Sequence, residues 1–538
     1  MAGFHAGDLA GVEAACRRAL GLDPRQPAFL HVLGLVAQAR GQSAIAAELI
    51  GEALALKPDD SAMHGNLGIA LAKLGRMEEA EAAYRRAITL RPDNADAHSN
   101  LGNVLRHHGR WEEAEAEYRH ALALRPSFAE AHSNLGNVLR QREDLVGAEA
   151  AYRQALALKP AYPEALYNLG NVLLEQGRTA DAVALYRAAL TLNPRLVEAH
   201  NNLGSACKAL GDMDGAIAGY QAALAVDPRY AEARYNLSLA WLGLGDYARG
   251  WALYEWRWAS PDFRPHRRPF PQKTWRGEPV PQATLLLHAE QGFGDTLQFC
   301  RYIPLAAARC RRVVVEVPQA LLRLLRDSPA LTAAAEVEII ARGTPLPEFD
   351  LHCPLMTLPL ALDTRLETVP ADVPYLTAPA AAPVDTGPGP RVGLAWAGNP
   401  TYKPDRRRSL TRTQVEALVA ACPGVTFHSL QKDPDAAGGL PDGVIDRMGA
   451  VSDFADTAAL IQSLDLVISV DTSIVHLAGA LGRPVWLLNR FDSDWRWLRG
   501  RDDSPWYPTL RQFRQEMPGD WAGVLSRVAA AVAVWPRP

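Results

Sequence analysis

Two stretches of the C-terminal half place polar residues directly after an apolar run, where a ligand site could form. The first, Thr284 to Phe299, contains Gly292-Phe-Gly294-Asp295. It predicts a strand, a glycine loop and a helix that begins near Thr296. Glycines let a backbone approach a ligand closely, and a helix start offers unpaired N–H groups to an anion or a sugar oxygen. A single Gly-x-Gly is a weak signal, and Asp295 could be only an N-cap.

The second stretch carries a polar turn between two strands. It predicts a strand from Leu466 to Val470, the turn Asp471-Thr472-Ser473, a short helix from Ile474 to Leu481 and a further strand. Hydroxyls and N–H groups at this helix start could hold a diphosphate, because open α/β sheets bind ligands at the carboxyl ends of their strands. His476 lies one turn into the helix and could reach the same anion. The alternative is that Asp471 and Thr472 only cap the helix and that His476 packs internally.

The N-terminal half is a repeat. Asn-Leu-(Gly/Ser) recurs every 34 residues, and a series of prolines from Pro24 to Pro228 keeps the same step. In one unit we expect a helix from Ala95 to His108, a turn, and a second helix from Trp111 to Arg125, with apolar residues at three- and four-residue spacing. We count seven units from about 27 to 260, the last incomplete, after a leading helix at about 8 to 22. The asparagines of the repeated tripeptide are Asn66, Asn100, Asn134, Asn168, Asn202 and Asn236.

The period and its Leu-Gly, Ala, Tyr and Pro positions resemble the tetratricopeptide repeat. The resemblance implies an α-solenoid, with the first helix of each unit lining a concave groove. The two polar stretches are similar to those of lipopolysaccharide heptosyltransferases, which are inverting, metal-independent glycosyltransferases of the GT-B fold, an α/β pair of Rossmann-like lobes. This similarity spans roughly residues 284 to 535 and is dense only at the motifs.

The second resemblance implies a role for each matching residue. Asp295 corresponds to the general base, and Asp471, Thr472 and Ser473 to the segment that grips the donor diphosphate, with Ser473 replacing a glycine. Arg391 to Pro400 resembles the first strand and loop of the donor lobe, and the phosphate-binding lysine after it maps to Lys403, with Arg407 and Arg408 as competitors or as part of a solvated loop. Gln431 takes the place of an acidic ribose contact, which leaves the nucleotide open. The implied donor-binding residues are Gly292, Gly294, Asn399, Lys403, Gln431, Asp471, Thr472, Ser473 and His476.

Composition changes divide the chain further. We expect a repeat domain at 1–260, a tryptophan- and proline-rich linker at 261–283, an acceptor-side lobe at 284–378, a linker at 379–390 and a donor-side lobe at 391–538. Residues 503–508 and 511–514 are expected to form the closing helix and its packing. Asp492-Ser-Asp494 resembles a metal motif of another glycosyltransferase class, but its position after the donor strand argues against a metal.

Charge, composition and cysteine content limit the possible partners and location of the protein. The net charge is −4 and 48% of the residues are apolar, so a nucleic-acid partner is not expected. The six scattered cysteines lack metal-ligand spacing and are expected to be buried free thiols. We see neither a signal peptide nor a membrane span, and expect a cytoplasmic protein without a cofactor, for which a nucleotide sugar is a substrate.

Repeats joined to a GT-B pair resemble protein O-glycosyltransferases, including O-GlcNAc transferases and bacterial flagellin glycosyltransferases. The resemblance implies a protein acceptor, such as flagellin, held by the six repeat asparagines, whose amides both donate and accept hydrogen bonds. These asparagines could instead bridge helices. A glycan-directed heptosyltransferase-like enzyme and a non-catalytic scaffold remain alternatives, as does a homodimer.

Overall fold

The helices of the N-terminal half follow the 34-residue period. A computed structural model describes residues 8–261, 263–333, 336–380, 389–398 and 407–535. Residues 8 to 261 contain a leading helix and seven successive helix pairs, as the periodicity predicts for a tetratricopeptide solenoid. The helices are α1 (Leu9–Leu22), α2 (Pro27–Ala39), α3 (Ser43–Leu56), α4 (Ser61–Lys73), α5 (Met77–Leu90), α6 (Ala95–His107), α7 (Trp111–Leu124), α8 (Ala129–Gln141), α9 (Leu145–Leu158), α10 (Pro163–Glu175), α11 (Thr179–Leu192), α12 (Val197–Ala209), α13 (Met213–Val226), α14 (Ala231–Gly243) and α15 (Tyr247–Tyr254).

The repeated glycine and tyrosine pack against each other within a unit. A Cβ atom placed on Gly102 would lie 2.8 Å from Cε1 of Tyr118, which is closer than real Cβ contacts allow. Gly136 stands in the same relation to Tyr152, also at 2.8 Å. The tyrosine ring is buried in each case. The glycine therefore permits the close approach of the paired helices.

The first α/β lobe is built on a five-stranded parallel sheet with the strand order β1-β5-β2-β3-β4. β1 and the first residues of β2 lie within the stretch predicted as a linker. The strands are β1 (Lys273–Thr274), β2 (Val280–His288), β3 (Cys310–Val317), β4 (Glu336–Ala341) and β5 (Leu351–Pro354), and the helices are α16 (Phe293–Phe299), α17 (Ile303–Ala307), α18 (Gln319–Arg326), α19 (Pro329–Thr332) and α20 (Leu358–Ala361).

The second lobe is built on a six-stranded parallel sheet with the order β11-β10-β9-β6-β7-β8. The chain reverses direction across the sheet between β6 and β9, so this point is the topological switch at which doubly wound sheets bind ligands. The strands are β6 (Arg391–Ala395), β7 (Thr426–Ser429), β8 (Val444–Ile445), β9 (Leu466–Val470), β10 (Val485–Asn489) and β11 (Leu510–Arg514), and the helices are α21 (Arg412–Ala420), α22 (Phe454–Gln462), α23 (Ser473–Ala480) and α24 (Trp521–Ala533).

The predicted closing helix is wrong in its position. Residues 510–514 form the edge strand β11, which pairs in parallel with β10. The closing helix is α24, and the side chain of Asp520 caps it by accepting a hydrogen bond from the N–H of Gly523. Pairing with β10 satisfies the backbone groups of β11, which favours a strand over a helix at this edge of the sheet.

The last repeat helices share a core with both lobes. The chain divides into two compact units, Met1–Ala206 and Cys207–Pro538. In the second unit Trp251 of α15 packs against Trp495 of the second lobe, with ring centroids 5.1 Å apart, and against Phe299 of α16 at 6.4 Å. The compact division therefore falls earlier than residue 260, where the sequence repeat ends.

All six cysteines are buried and free, as expected. Within the described ranges, no helix has both the length and the apolar character to cross a bilayer.

Candidate active site

Asp295 lies in the first turn of α16, beyond the carboxyl end of β2. One carboxylate oxygen, Oδ2, accepts a hydrogen bond from the backbone N–H of Gly292 at 3.2 Å, so Asp295 closes the start of its own helix. The other oxygen, Oδ1, accepts from Nη2 of Arg496 at 2.6 Å. The side chain is 22% exposed. The N-cap of α16 is therefore Gly292 and not Asp295, and the helix begins at Phe293, earlier than the predicted start near Thr296. Asp295 contributes to the cap from the third position of the helix and also joins an ion pair between the two lobes.

Arg496 connects three acceptors at this position. Besides Asp295, it donates from Nη1 to Asp494 at 2.9 Å and from Nε to the amide oxygen of Gln298 at 2.7 Å. The guanidinium also lies 4.5 Å from the ring centroid of Trp495. Because each of its three nitrogens donates to a different acceptor, Arg496 is held in place and fixes the orientation of the Asp295 carboxylate.

The two carboxylates bound to Arg496 differ in their acidity. Burial raises the pKa of Asp295 above its ordinary value, although Arg496 acts to lower it and Asp494 adds to the rise. Burial also acts to raise the pKa of Asp494, but Arg496 outweighs burial and keeps this pKa below its ordinary value. Asp295 is therefore the more basic of the two carboxylates.

The starts of α16 and α23 face each other across the two lobes. A Cβ atom on Gly294 would lie 2.9 Å from Cδ2 of His476 and 3.6 Å from the Cα atom of Ser473. The absence of a side chain at Gly294 is thus what lets the glycine loop lie against the Asp-Thr-Ser turn. The structure brings the two polar stretches together, and no local sequence signal predicts this contact.

His476 is buried in an aromatic setting. Its Nδ1 lies 2.9 Å from the hydroxyl of Tyr507, and its ring stacks on Trp497 with centroids 5.3 Å apart. Burial lowers the pKa of His476 to about 3, and Arg496 adds to this effect. The ring is therefore neutral at physiological pH and can offer a hydrogen bond to an anion but no charge.

The turn after β9 has both structural and chemical features. The hydroxyl of Thr472 accepts from the N–H of Ile474 at 3.3 Å, so Thr472 is the N-cap of α23. Nη1 of Arg408 donates to the backbone carbonyl of Asp471 at 2.8 Å. Burial, together with the negative charge of Asp494, raises the pKa of Asp471. Arg408 thus lies at the switch point, where a cation would meet a diphosphate.

Gln431 follows β7 and is largely buried. Its amide oxygen Oε1 accepts from the backbone N–H of Ala397 at 3.1 Å, which ties the end of β7 to the loop after β6. In that loop the N–H of Gly398 donates to the hydroxyl of Ser409 at 3.1 Å. Two further predicted donor-binding residues, Asn399 and Lys403, lie outside the described residues.

The repeat asparagines connect neighbouring units. Nδ2 of Asn168 donates to Oδ1 of Asn137 in the preceding unit at 3.2 Å, and the hydroxyl of Tyr152 donates to the same oxygen at 2.7 Å. Asn134 and Asn202 make the corresponding bonds to Asn103 and Asn171. The amide of Asn66 instead lies 2.9 Å from Nε2 of His31. These bonds support a helix-bridging role, and peptide binding stays a prediction.

Sequence reasoning missed a second buried cation next to the site. Arg301 donates from Nη1 to the backbone carbonyl of Trp506 at 2.6 Å and from Nη2 to the hydroxyl of Tyr375 at 2.8 Å. Its guanidinium lies 4.6 Å from the ring centroid of Tyr507, which in turn holds His476. Arg301 and Arg496 each stand beside aromatic residues, and this composition is the one signal that could have indicated them.

Comparison with known proteins agrees with both halves of this description. Tetratricopeptide repeat models match residues 31–95 and 83–116, and a TPR repeat model matches residues 102–141, 136–177, 170–211 and 204–245. The glycosyltransferase family 9 (heptosyltransferase) model matches residues 449–490. That range includes β9, the Asp-Thr-Ser turn and His476.

A curated relative and two solved structures are similar to parts of this chain. Protein FlbA from Caulobacter vibrioides is 28% identical over 316 residues, which cover 53% of this chain and 52% of the relative. The chain thus spans about half the length of this relative. The structure of YrrB, described as a TPR protein with an unusual peptide-binding site, is 24% identical, with 35% of this chain and 96% of that chain covered and a TM-score of 0.31. PilF of Pseudomonas aeruginosa is 22% identical, with 40% and 97% covered and a TM-score of 0.36. The chain therefore joins tetratricopeptide repeats to a domain that is similar to glycosyltransferase family 9.

Proposed function

We propose that the protein is a glycosyltransferase that moves a sugar from a nucleotide-sugar donor to a hydroxyl group of an acceptor protein. The observation that carries this proposal is that Gly294, the neighbour of Asp295, lies against the start of α23, at the carboxyl ends of strands from two Rossmann-like sheets. The segment matched by the family 9 model supplies one side of this meeting point. The site of a GT-B transferase is expected at such a position.

The charge of each residue indicates its role in the proposed reaction. Asp295 acts as the general base that removes the proton of the acceptor hydroxyl, and its raised pKa makes it a better base than an ordinary carboxylate. The hydroxyl then attacks the anomeric carbon of the donor with inversion, and the nucleoside diphosphate leaves. The start of α23, Arg408 and the neutral ring of His476 stabilise the diphosphate without a metal.

The repeats hold the acceptor in this proposal. Tetratricopeptide repeats support a protein partner, and the half-buried Asn-Leu-Gly asparagines have amide groups suited to peptide backbone. Flagellin is one acceptor of this kind, and the reaction would take place in the cytoplasm. All residues named for the proposed reaction belong to one chain, so the proposal does not require a homodimer.

A second candidate is a heptosyltransferase-like enzyme with a glycan or lipopolysaccharide acceptor. The name of the matching family model favours it, since family 9 is described by heptosyl transfer. This candidate uses the same donor site and leaves the repeats without a role in binding the acceptor.

Donor binding by the full chain is the first test. Thermal shift and calorimetry with UDP, GDP, ADP and CMP compounds should reveal stabilisation by one nucleotide class. Thr472→Ala and His476→Ala should weaken that binding, whereas Asp295→Asn should retain it and abolish transfer. Transfer assays with the donor and either a protein or a glycan acceptor then distinguish the two candidate functions. Transfer to protein supports the first candidate, and transfer to glycan supports the second.

Binding of no nucleotide would overturn the transferase proposal and favour a repeat scaffold. Retained transfer in Asp295→Asn would remove Asp295 from the role of general base. Asp442→Asn is the matched control, because Asp442 is 88% exposed and pairs with Arg412 away from the site.

A further inference from the structure

One cluster of potential metal ligands lies in the repeats and shares no residue with the proposed transferase site. His98 on α6 and both Glu117 and His120 on α7 each bring one ligand atom to within 4.8 Å of those of the other two. Glu117 and His120 are three residues apart and so share one face of α7. This Glu-x-x-His spacing is used by helical bundles to hold metal ions between facing helices.

The orientation of the His98 ring is fixed by a backbone carbonyl. Nε2 of His98 lies 3.0 Å from the carbonyl oxygen of Pro92, and because a carbonyl only accepts, Nε2 carries a proton. Nδ1 points to Oε2 of Glu117 at 2.6 Å. A metal-ligating histidine commonly donates its second ring N–H to a backbone carbonyl or a carboxylate, as Nε2 of His98 does to Pro92. Nδ1 is then the nitrogen that could bind an ion together with Glu117.

The other repeats show that the solenoid does not need this cluster. His64, His132 and His200 make the same contact with the carbonyl of a proline, at 2.8, 3.0 and 3.0 Å. One repeat later, Ala151 and Gln154 replace Glu117 and His120, and one repeat earlier the residues are Ala83 and Arg86. The repeated histidine is thus a feature of the fold, whereas the carboxylate and the second imidazole belong to one unit.

We propose that His98, Glu117 and His120 bind a divalent cation of the zinc class. Two imidazole nitrogens and one carboxylate oxygen are donors that Zn²⁺ prefers, whereas Mg²⁺ and Ca²⁺ prefer oxygen donors alone. In a tetrahedral zinc site the donor atoms lie about 3.3 Å apart, so Nδ1 of His98 and Oε2 of Glu117, now 2.6 Å apart, must separate slightly, while donors that lie farther apart must approach. The exposed ring of His120 can move to meet the other two ligands. The cation lies between the three side chains, solvent occupies the remaining position, and α6 is joined to α7.

The test compares zinc binding by the untagged, chelator-treated full chain and by the double variant Glu117→Ala/His120→Gln. The substituted residues are those of the following repeat, so the solenoid already accommodates them. Isothermal titration with Zn²⁺ should give one site more in the parent than in the variant, with proton release, and Mg²⁺ should give no corresponding site. His132→Leu is the matched control, because it removes the same histidine contact from a unit without the other two ligands, and Leu166 occupies this position one repeat later.

Equal zinc stoichiometry and affinity in parent and double variant would overturn the proposal. Loss of the same site in His132→Leu would also overturn it, because the binding would then be a general property of the repeat histidines. Circular dichroism of the three proteins verifies that their helices are intact.

Discussion

The Asp295 carboxylate is held between its own helix start and a cation from the other lobe. Gly292 and Arg496 bind different oxygens of this carboxylate, and Asp494 competes for the same guanidinium. At the residue scale, the chemistry of the site therefore depends on a triad of charges and not on one aspartate. The basicity of Asp295 is set by burial first and by these two neighbours next.

This triad predicts opposite shifts in the pH dependence of donor turnover. A general base must be deprotonated, so activity should fall as the pH drops through the pKa of Asp295. Asp494→Asn removes a negative neighbour that raises this pKa, and should move the acid limb to lower pH. Arg496→Met removes a positive neighbour that lowers it, and should move the acid limb to higher pH. Initial rates of transfer or donor hydrolysis across pH measure both shifts, and two shifts in the same direction would contradict the assignment.

At the scale of elements, the repeat units are joined by asparagine amides as well as by apolar faces. Asn137 accepts from Tyr152 of its own unit and from Asn168 of the next one. Asn103 and Asn171 accept the same two kinds of hydrogen bond in their units. In the unit before Asn100, this acceptor position is occupied by Ile69, whose side chain cannot accept a hydrogen bond. The described residues consequently show no corresponding bond from Asn100 to the preceding unit.

We therefore expect Asn168→Ala and Asn100→Ala to differ in stability. Asn168→Ala removes a hydrogen bond between units and should lower the free energy of unfolding by about 0.5–1.5 kcal/mol. Asn100→Ala should change it less. Urea denaturation followed by circular dichroism measures both values, and equal losses would contradict a bridging role. Weaker peptide binding by both variants would independently support the acceptor-binding prediction.

At the scale of the molecule, a charged residue joins the end of the repeats to the first lobe. Arg257, directly after α15, makes two hydrogen bonds to Glu290, at 3.1 and 3.0 Å, and one to Thr357 at 2.8 Å. The side chains of Arg257 and Glu290 are 0% exposed. Glu290 and Thr357 follow β2 and β5, so these residues lie at the switch point of the first sheet. The last repeat helices are thus part of the fold of the C-terminal half.

Removal of one partner of this pair should destabilise the second compact unit strongly. Arg257→Met leaves Glu290 buried without a cation, which costs about 3–5 kcal/mol. Adding Glu290→Gln removes the unpaired charge and should recover part of the loss. Urea denaturation of the full chain, followed by tryptophan fluorescence, gives the coupling energy of the double-mutant cycle. Additive losses would show that the two residues do not stabilise each other.

The repeat, the fold class and the elements of the polar stretches are evident in the amino-acid sequence. The helices Ala95–His107 and Trp111–Leu124 and the strand Leu466–Val470 lie within one residue of their predicted bounds. These features depend on spacing over a few residues or on a fixed period, and both are visible in a linear chain. Local spacing did not predict that β11 is a strand, because an edge strand is defined by the strand with which it pairs.

The contacts between groups of the candidate site depend on the packing of the two lobes. Asp295 and Arg496 are 201 residues apart, and the contact of Gly294 with His476 likewise joins two lobes. Burial, and with it the pKa values of Asp295 and His476, depends on packing from elements far apart in the chain. The hydrogen bonds of the repeat asparagines could not be predicted from the sequence either. Their period is evident in the sequence, but their hydrogen-bond partners belong to the neighbouring unit. Residue types and spacing indicate which groups could do chemistry, whereas their orientation and charge arise from contacts that have no local signal.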